Sequence, residues 1–496
     1  MASEVNITRY GNLLEVDPPC EHVLSGVLTY GHRVMLYGRD AVISKKKQGR
    51  SVSIKATRVY TVNDGKLYVQ HGVLPRVTTA LEGAGYRVVY KDARKLTPLE
   101  PDYDSLNARF PDLEFRCGQD QALAYMISGE RGQLEAPTGW GKTTLLLFLA
   151  AVYPKATILV CTLGQRLLNN TVKRLTAVYG TDVGECSSKR RRKGRIMVTT
   201  YGSVLRAVTM IGRDPDIVVV DECHSAAAPQ FASNLSMLRN YQKIFGLTAT
   251  PKGRSDGAEL VIETLLGPVV FRKSYADMVE AGAVCPIKVA RVDTSWLVEG
   301  PEVRSKFSPV AKQRAAYWRN RARNQLIARC ATEVPARYGL GDDPQVLILV
   351  EKIEHANHLV RELPDFEIIH SMRDELITKY DIDAPKCDEL QARFEAGTLR
   401  KAIATGVWGT GVDFVQLDVL IYASGAPSHI TTTQWSGRNS RVRKNKEFGL
   451  VVDFSDRWDE WTAARSVRRM QTYKKHGWKI DNIVLRAGQQ ELPGIT

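Results

Sequence analysis

Two short stretches carry residue types and spacings suited to phosphate and metal chemistry. The first is Ala136-Pro137-Thr138-Gly139-Trp140-Gly141-Lys142-Thr143. Leu134-Glu135 end a predicted strand, and the apolar run from Leu145 predicts a helix. A turn at Gly139 and Gly141 lets backbone N–H groups approach phosphate oxygens, and the new helix adds the positive end of its dipole. Lys142 is placed to reach the β- and γ-phosphates and the Thr143 hydroxyl to ligate Mg²⁺. Pro137, Thr138, Gly139, Trp140, Gly141, Lys142, Thr143 and Thr144 form the candidate nucleotide-binding set. The second stretch is Asp221-Glu222-Cys223-His224, which follows the apolar run Ile217–Val220. Ligands of open α/β sheets sit at strand C-termini. Asp221 is therefore expected to hold Mg²⁺, and Glu222 to polarise an attacking water.

Further polar motifs follow other predicted strands. Leu247-Thr248-Ala249-Thr250-Pro251 places two small hydroxyls at a strand end, where they can relay hydrogen bonds. Thr162-Leu163-Gly164-Gln165-Arg166 and Thr199-Thr200-Tyr201 end two more. Hydroxyls, amides and arginines of this kind hold nucleic-acid phosphates without reading bases. Thr162, Arg166, Thr200 and Tyr201 are the candidates there, although short polar turns are common. Far downstream, Gln434-Trp435-Ser436-Gly437-Arg438-Asn439-Ser440-Arg441 supplies arginines that a triphosphate site needs.

The order of these motifs resembles the superfamily 2 helicases and translocases from about residue 115 to 460. Within that superfamily the DECH box, the LTATP motif and an N-terminal accessory region look most like the phage UvsW-type and XPB-like DNA helicases. The resemblance implies two RecA-like domains with ATP bound between them, and it assigns roles by position. Arg116, Gln119 and Ala122 match the adenine-side motif, although Gly118 stands where an aromatic residue is usual. Arg438 and Arg441 match the arginine-finger motif, which meets charge developing on the γ-phosphate. Thr405, Gly411 and Asp413 match the motif that couples nucleotide to nucleic acid. His224, Thr248, Thr250 and Gln434 are implied to link the two sites. Partners implied are single-stranded, forked or branched DNA and, as candidates, replication or recombination proteins. The alternatives are an RNA helicase, the motor subunit of a restriction complex, and an ATP-regulated binding module that does not unwind.

The bulk numbers agree with this reading. At 496 residues, and about 150 per domain, the chain holds about three domains. A formal net charge of +15 favours a polyanionic partner. No apolar stretch is long enough to span a membrane. The eight scattered cysteines form no CxxC pair, which points away from zinc and disulfides and towards a reducing cytoplasm. A monomer is expected.

The fold class expected is α/β: two tandem RecA-like domains with parallel sheets (106–285 and 286–496), after a small α+β accessory domain (1–105). Short β-branched runs at 158–160, 196–199, 217–220 and 244–247, then at 346–350, 366–369, 402–404, 419–422 and 450–453, read as buried parallel strands. Residues 457–475 read as a closing basic helix. In the first region Asn63-Asp64-Gly65 between β-rich runs signals a hairpin. The runs Lys45-Lys46-Lys47-Gln48-Gly49-Arg50 and Lys189–Lys193 read first as solvated loops or hairpin tips. Lys45, Lys46, Lys47 and Arg50 are also the better candidates for DNA phosphate contacts. Residues 1 to about 105 are expected to be separable, with fork selectivity lost on their removal and strand-stimulated ATPase kept.

Lys142→Ala is expected to leave the fold intact and to lower steady-state ATP turnover about 100-fold or more, since only a charge aimed at phosphate is removed. Turnover of the purified variant near the wild-type rate would place the nucleotide elsewhere.

Overall fold

Alternating apolar and polar residues build the first sheet of the computed structural model. The structure describes residues 3–35, 52–249, 257–295, 297, 308–370, 372–380, 385–405, 408, 414–426, 432–433, 437–443 and 445–485. The strands of the first region are β1 (Glu4–Tyr10), β2 (Leu13–Asp17), β3 (Thr29–Met35), β4 (Val52–Arg58), β5 (Tyr60–Asn63), β6 (Lys66–Gln70) and β7 (Arg87–Asp92). Five of them form a sheet of order β5-β6-β2-β1-β7, and β3 and β4 pair as a separate antiparallel ribbon. Val5, Ile7, Leu14, Val16, Leu67 and Val69 point to one face and are buried. They pack with Leu24 of α1 (Glu21–Val27) and with Val77 and Leu81 of α2 (Leu74–Gly83). The hairpin expected at Asn63-Asp64-Gly65 is the β5–β6 turn, with Asp64 and Gly65 both at positive φ.

The chain divides into two compact units, Met1–Pro137 with Gly141–Lys273, and Thr138–Trp140 with Ser274–Thr496. The expected boundary at 105 lies inside the first unit, and the second begins ahead of 286.

In the first unit β8 (Arg131–Glu135), β9 (Ile158–Thr162), β10 (Val183–Cys186), β11 (Arg191–Arg192), β12 (Ile196–Thr200), β13 (Ile217–Asp221), β14 (Lys243–Thr248) and β15 (Val269–Arg272) form one sheet. Its order is β11-β10-β12-β9-β13-β14-β8-β15. Every pair is parallel except β10–β11. Ile217–Val220 are all buried, as a strand covered on both faces requires. The basic run Lys189–Lys193 is the tip and return strand of the β10–β11 hairpin, and Arg191 and Arg192 are exposed.

The first region packs directly against the eight-stranded sheet of the same unit. Asn12 accepts from Tyr241 and, at 3.4 Å, from both terminal nitrogens of buried Arg131. Arg9, 1% exposed, pairs with Glu130 at 2.5 Å. Leu260, on α3 (Glu259–Leu266), belongs to the apolar core of the first sheet. Gly72 touches α3 so closely that a Cβ there would lie 2.1 Å from the Glu263 carbonyl oxygen. Removing residues 1–105 would strand a buried guanidinium and an apolar patch.

The second unit has β16 (Ile287–Val292), β17 (Val346–Leu349), β18 (Glu367–Ile369), β19 (Lys401–Ala404), β20 (Val419–Tyr422), β21 (Gly449–Phe454) and β22 (Lys479–Ile483). Their order is β18-β19-β17-β20-β21-β16-β22, and every pair is parallel. Two buried ion pairs pin helices to the sheet. Arg323 of α4 (Arg321–Arg337) forks onto Asp456 at 3.0 and 3.2 Å. Arg469 of α5 (Glu460–Lys475), the expected closing helix, holds Asp453 at 2.9 Å. Good geometry and extra backbone acceptors offset the desolvation of such pairs. Among the described residues no helix is long and apolar enough to cross a membrane.

Gly72→Ala is expected to destabilise the whole first unit by about 1–3 kcal/mol, the usual effect of overpacking. A lowered thermal midpoint of the β8–β15 sheet, followed by hydrogen exchange, is the readout. An effect confined to residues 3–92 would contradict the shared packing.

Candidate nucleotide site

Parallel pairing puts the C-terminal ends of β8, β14 and β13 side by side on one sheet edge. The phosphate loop leaves β8, Asp221-Glu222 leave β13, and Thr248 ends β14 between them. Ladder bonding continues into the loop, where the Ala136 N–H donates to the Thr248 carbonyl at 3.0 Å. Gly139 and Gly141 have φ of 99° and 100°, a region only glycine enters without strain. Gly141 caps the helix Lys142–Val152, whose N-terminus therefore opens at the loop. A Cβ on Gly141 would also lie 2.4 Å from the Gln119 amide nitrogen.

The Lys142 ammonium folds back onto its own loop, donating to the carbonyls of Ala136 at 2.9 Å and Pro137 at 3.4 Å. Thr143 and Thr144 lie in the first turn of the helix and are half-buried. Trp140, whose placement the sequence left open, is buried. Gln119 begins the helix Gln119–Ser128 and is buried too, and its side-chain oxygen accepts from the Arg116 N–H at 3.1 Å. In this arrangement its amide braces the loop; the adenine-reading role rests on the resemblance alone.

The carboxylates are held by a strained turn. Glu222 has φ of 52°, left-handed for a non-glycine residue, which costs about 1–3 kcal/mol. Its N–H donates to Asp221 Oδ1 at 3.0 Å. Tyr201 holds the turn from below, its hydroxyl donating to the carbonyls of Asp221 at 2.7 Å and Glu222 at 3.2 Å. The Tyr201 ring stacks on Phe231 at 3.8 Å between centroids. Cys223 is buried against Gly246, where a Cβ would lie 2.7 Å from its Sγ. His224 Nδ1 lies 3.1 Å from the Thr248 hydroxyl and 3.4 Å from Glu222 Oε2. The coupling expected of His224 and Thr248 thus has a direct contact within the first unit. Burial and the neighbouring Glu222 charge push the Asp221 carboxyl up to about 7, against the pull of Lys142.

Two residues expected at the nucleic-acid face are buried. Thr162 is fully buried and donates to the Thr199 carbonyl at 3.2 Å. Tyr201 is 6% exposed, its hydroxyl committed to the carboxylate turn. Both hydroxyls are engaged within the first unit. Arg166 and Thr200 are half-buried at the same sheet edge. In the second unit Thr405, 7% exposed, follows β19, and its N–H donates to the Ile369 carbonyl at 3.1 Å. Arg438 lies on the turn Gly437–Ser440, and Arg441 just beyond it is half-buried. Lys45, Lys46, Lys47, Arg50, Thr250, Gly411, Asp413 and Gln434 lie outside the described residues. Sequence reasoning missed the supporting roles of Phe231 and Gly246. Gly246 carried a signal, being a glycine inside an apolar strand, which often marks a close approach.

Comparison with known proteins agrees with this geometry. Residues 112–253 match the family model described as "Type III restriction enzyme, res subunit". The chain is 25% identical over 361 residues to the DNA 3'-5' translocase XPB2 of Sulfurisphaera tokodaii, covering 68% of this chain and 81% of that one. It is 21% identical over 359 residues to the ATP-dependent DNA helicase uvsW of Enterobacteria phage T4, covering 68% of each. Among solved structures, S. cerevisiae Dbp5 bound to RNA and ADP BeF3 superposes with a TM-score of 0.52 and 14% identity, over 77% of this chain and 93% of that one. The likeness to superfamily 2 helicases expected from the motif order is present in these relatives, and the fold is that of two RecA-like α/β sheets.

Tyr201→Phe is expected to lower stability by about 1–2 kcal/mol, because the part-buried Asp221 and Glu222 carbonyls lose the hydroxyl proton they share. It should also lower ATP turnover while leaving affinity for single-stranded DNA unchanged. Calorimetry and strand binding without nucleotide test this; weakened strand binding would restore Tyr201 to the nucleic-acid face.

Proposed function

We propose that this chain is an ATP-dependent DNA helicase or translocase that unwinds or remodels branched DNA in recombination, repair or replication. The observation that carries the reading is the convergence, on adjacent strand ends β8, β14 and β13, of a glycine-turned phosphate loop, Thr248 and the Asp221–Glu222 pair. An ATP-hydrolysing helicase needs that set in that order. The relatives named as DNA translocase and DNA helicase favour DNA over RNA as the track.

The residues present suit both nucleotide and metal. The loop glycines leave space where any Cβ on Gly141 would collide with Gln119, so backbone N–H groups can close on phosphate. Thr143 and Asp221 offer hard oxygen donors of the kind that suit Mg²⁺. A bound Mg²⁺ would supply Lewis-acid charge to the phosphates. Lys142 would exchange its loop carbonyls for β- and γ-phosphate oxygens. Glu222, aimed by its strained backbone and flanked by His224, would accept the proton of the water that attacks the γ-phosphorus. Arg438 and Arg441 are assigned to the negative charge that develops on the transferred phosphoryl group. Arg166, Thr200 and Thr405 would hold strand phosphates, and Arg116, Gln119, Gly411 and Asp413 complete the nucleotide and coupling set. ATPase measured with single-stranded DNA, forked DNA and RNA tests the reading: greatest stimulation by RNA would move the chain to the RNA helicases.

Glu222→Gln is expected to retain ATP binding and to lower the maximal turnover by about 100-fold or more, the scale of a lost general base. A trapped ATP-bound complex on DNA is the positive readout. Undiminished steady-state turnover would remove Glu222 from the reaction.

A further inference from the structure

The arginine-bearing turn of the second unit is fastened by a half-buried lysine that belongs to no motif. Asn439 sits between Arg438 and Arg441. Its side-chain amide donates to the carbonyls of Asp418 at 3.0 Å and Leu450 at 2.7 Å. Those carbonyls flank the starts of β20 and β21, so one side chain ties the turn across two strands. Gly449 leaves no slack: a Cβ there would lie 2.0 Å from the Asn439 carbonyl oxygen. Lys446 then closes the knot. Its ammonium donates to the Leu417 carbonyl at 2.6 Å, the Asn439 carbonyl at 2.9 Å and Asn439 Oδ1 at 3.1 Å. Cys285 fastens the far side, with its N–H on the Ser440 carbonyl at 2.8 Å and its thiol on the carbonyls of Asn439 and Arg441.

We propose that Lys446 is a positioning residue for ATP hydrolysis, acting through Asn439 to hold the turn that carries Arg438 and Arg441. The proposal rests on the reading of those arginines given above. Three donors on one ammonium meet three acceptors, two of them on the residue beside Arg438. Hydrophobic packing would anchor a turn without desolvating a charge, whereas an ammonium with three fixed acceptors sets direction as well as distance. Misplacing a group that acts on the transition state by about 1 Å can lower the rate about 100-fold.

Burial pushes Lys446 down to about 8. The charged groups facing it divide by sign: Asp418 favours the charged form, and Arg443 and Arg441 oppose it. Burial raises the Cys285 thiol, which favours its neutral form. The fastening is therefore complete only well below about pH 8 and loosens as pH rises through it, when the ammonium loses one donor.

The experiment is ATP turnover of the full chain with saturating single-stranded DNA, across pH 6.5–9.5 in scale of about three units around the lysine's titration, for wild type, Lys446→Arg and Lys446→Ala. Lys446→Ala is expected to lower kcat about tenfold or more with KM for ATP little changed, the split of a transition-state effect. Wild-type kcat is expected to fall as pH rises past about 8, and Lys446→Arg to carry that fall to higher pH because its guanidinium stays charged. If Lys446→Ala fails to fold, the wild-type and Lys446→Arg profiles decide. Coincident profiles for those two, or a folded Lys446→Ala with wild-type kcat, overturn the proposal. Arg441→Ala separates this from the underlying reading: full activity in that variant would reject the arginine assignment itself.

Discussion

Parallel pairing of β13 between β9 and β14 is the constraint on which the candidate site depends. It brings the C-terminal ends of three consecutive neighbours to one edge, so residues distant in sequence leave the sheet together. The backbone amides of β13 are satisfied by both neighbours, and its side chains are buried on both faces. That leaves Asp221 and Glu222 to emerge only where the strand ends. The strain at Glu222 is tolerated because Tyr201, the Asp221 carboxylate and the Gly246–Cys223 contact fix the turn from several sides. An isolated Asp-Glu pair on a loop would relax to a right-handed backbone.

Much of this was legible in the sequence. The apolar runs at 217–220, 244–247 and 419–422 became central strands because a strand buried on both faces needs a continuous apolar run. Phosphate-loop chemistry was legible for a similar reason, since glycine spacing there reports a backbone requirement. The burial of Tyr201 and Thr162 was not legible because their neighbours are polar turn residues. Whether a hydroxyl at a strand end faces outward or inward depends on the next helix, and no local spacing encodes it. Tyr201 turned inward because Phe231, thirty residues on, offers a flat partner.

The attachment of the first region was not legible for a different physical reason. Its hairpin, helix and strands were readable one by one, and a basic run gave it a plausible separate task. Its attachment is written in residues that carry no motif: Asn12, Gly11 and Gly72 on one side, Arg131, Tyr241 and Leu260 on the other. Long-range polar pairs leave no periodic trace. Buried arginines at positions 9 and 131 were the available hint, because charges rarely fall inside an apolar alternation without a partner elsewhere in the chain.

That attachment also bears on how such a chain can change over generations. Gly11 approaches the Arg239 backbone within the space of a methyl group, and Gly72 does the same to Glu263. A recombination crossover placed between residues 92 and 131 would split both fits, pairing a sheet from one parent with a helix from another. Viable exchanges would have to carry β1–β7 together with the stretch from Arg239 to Leu266, although more than a hundred residues separate them. The unit of inheritance for this part of the fold is therefore discontinuous, and substitutions at the two glycines should be traceable only in company with changes at the Arg239 loop and the Glu259–Leu266 helix that they touch.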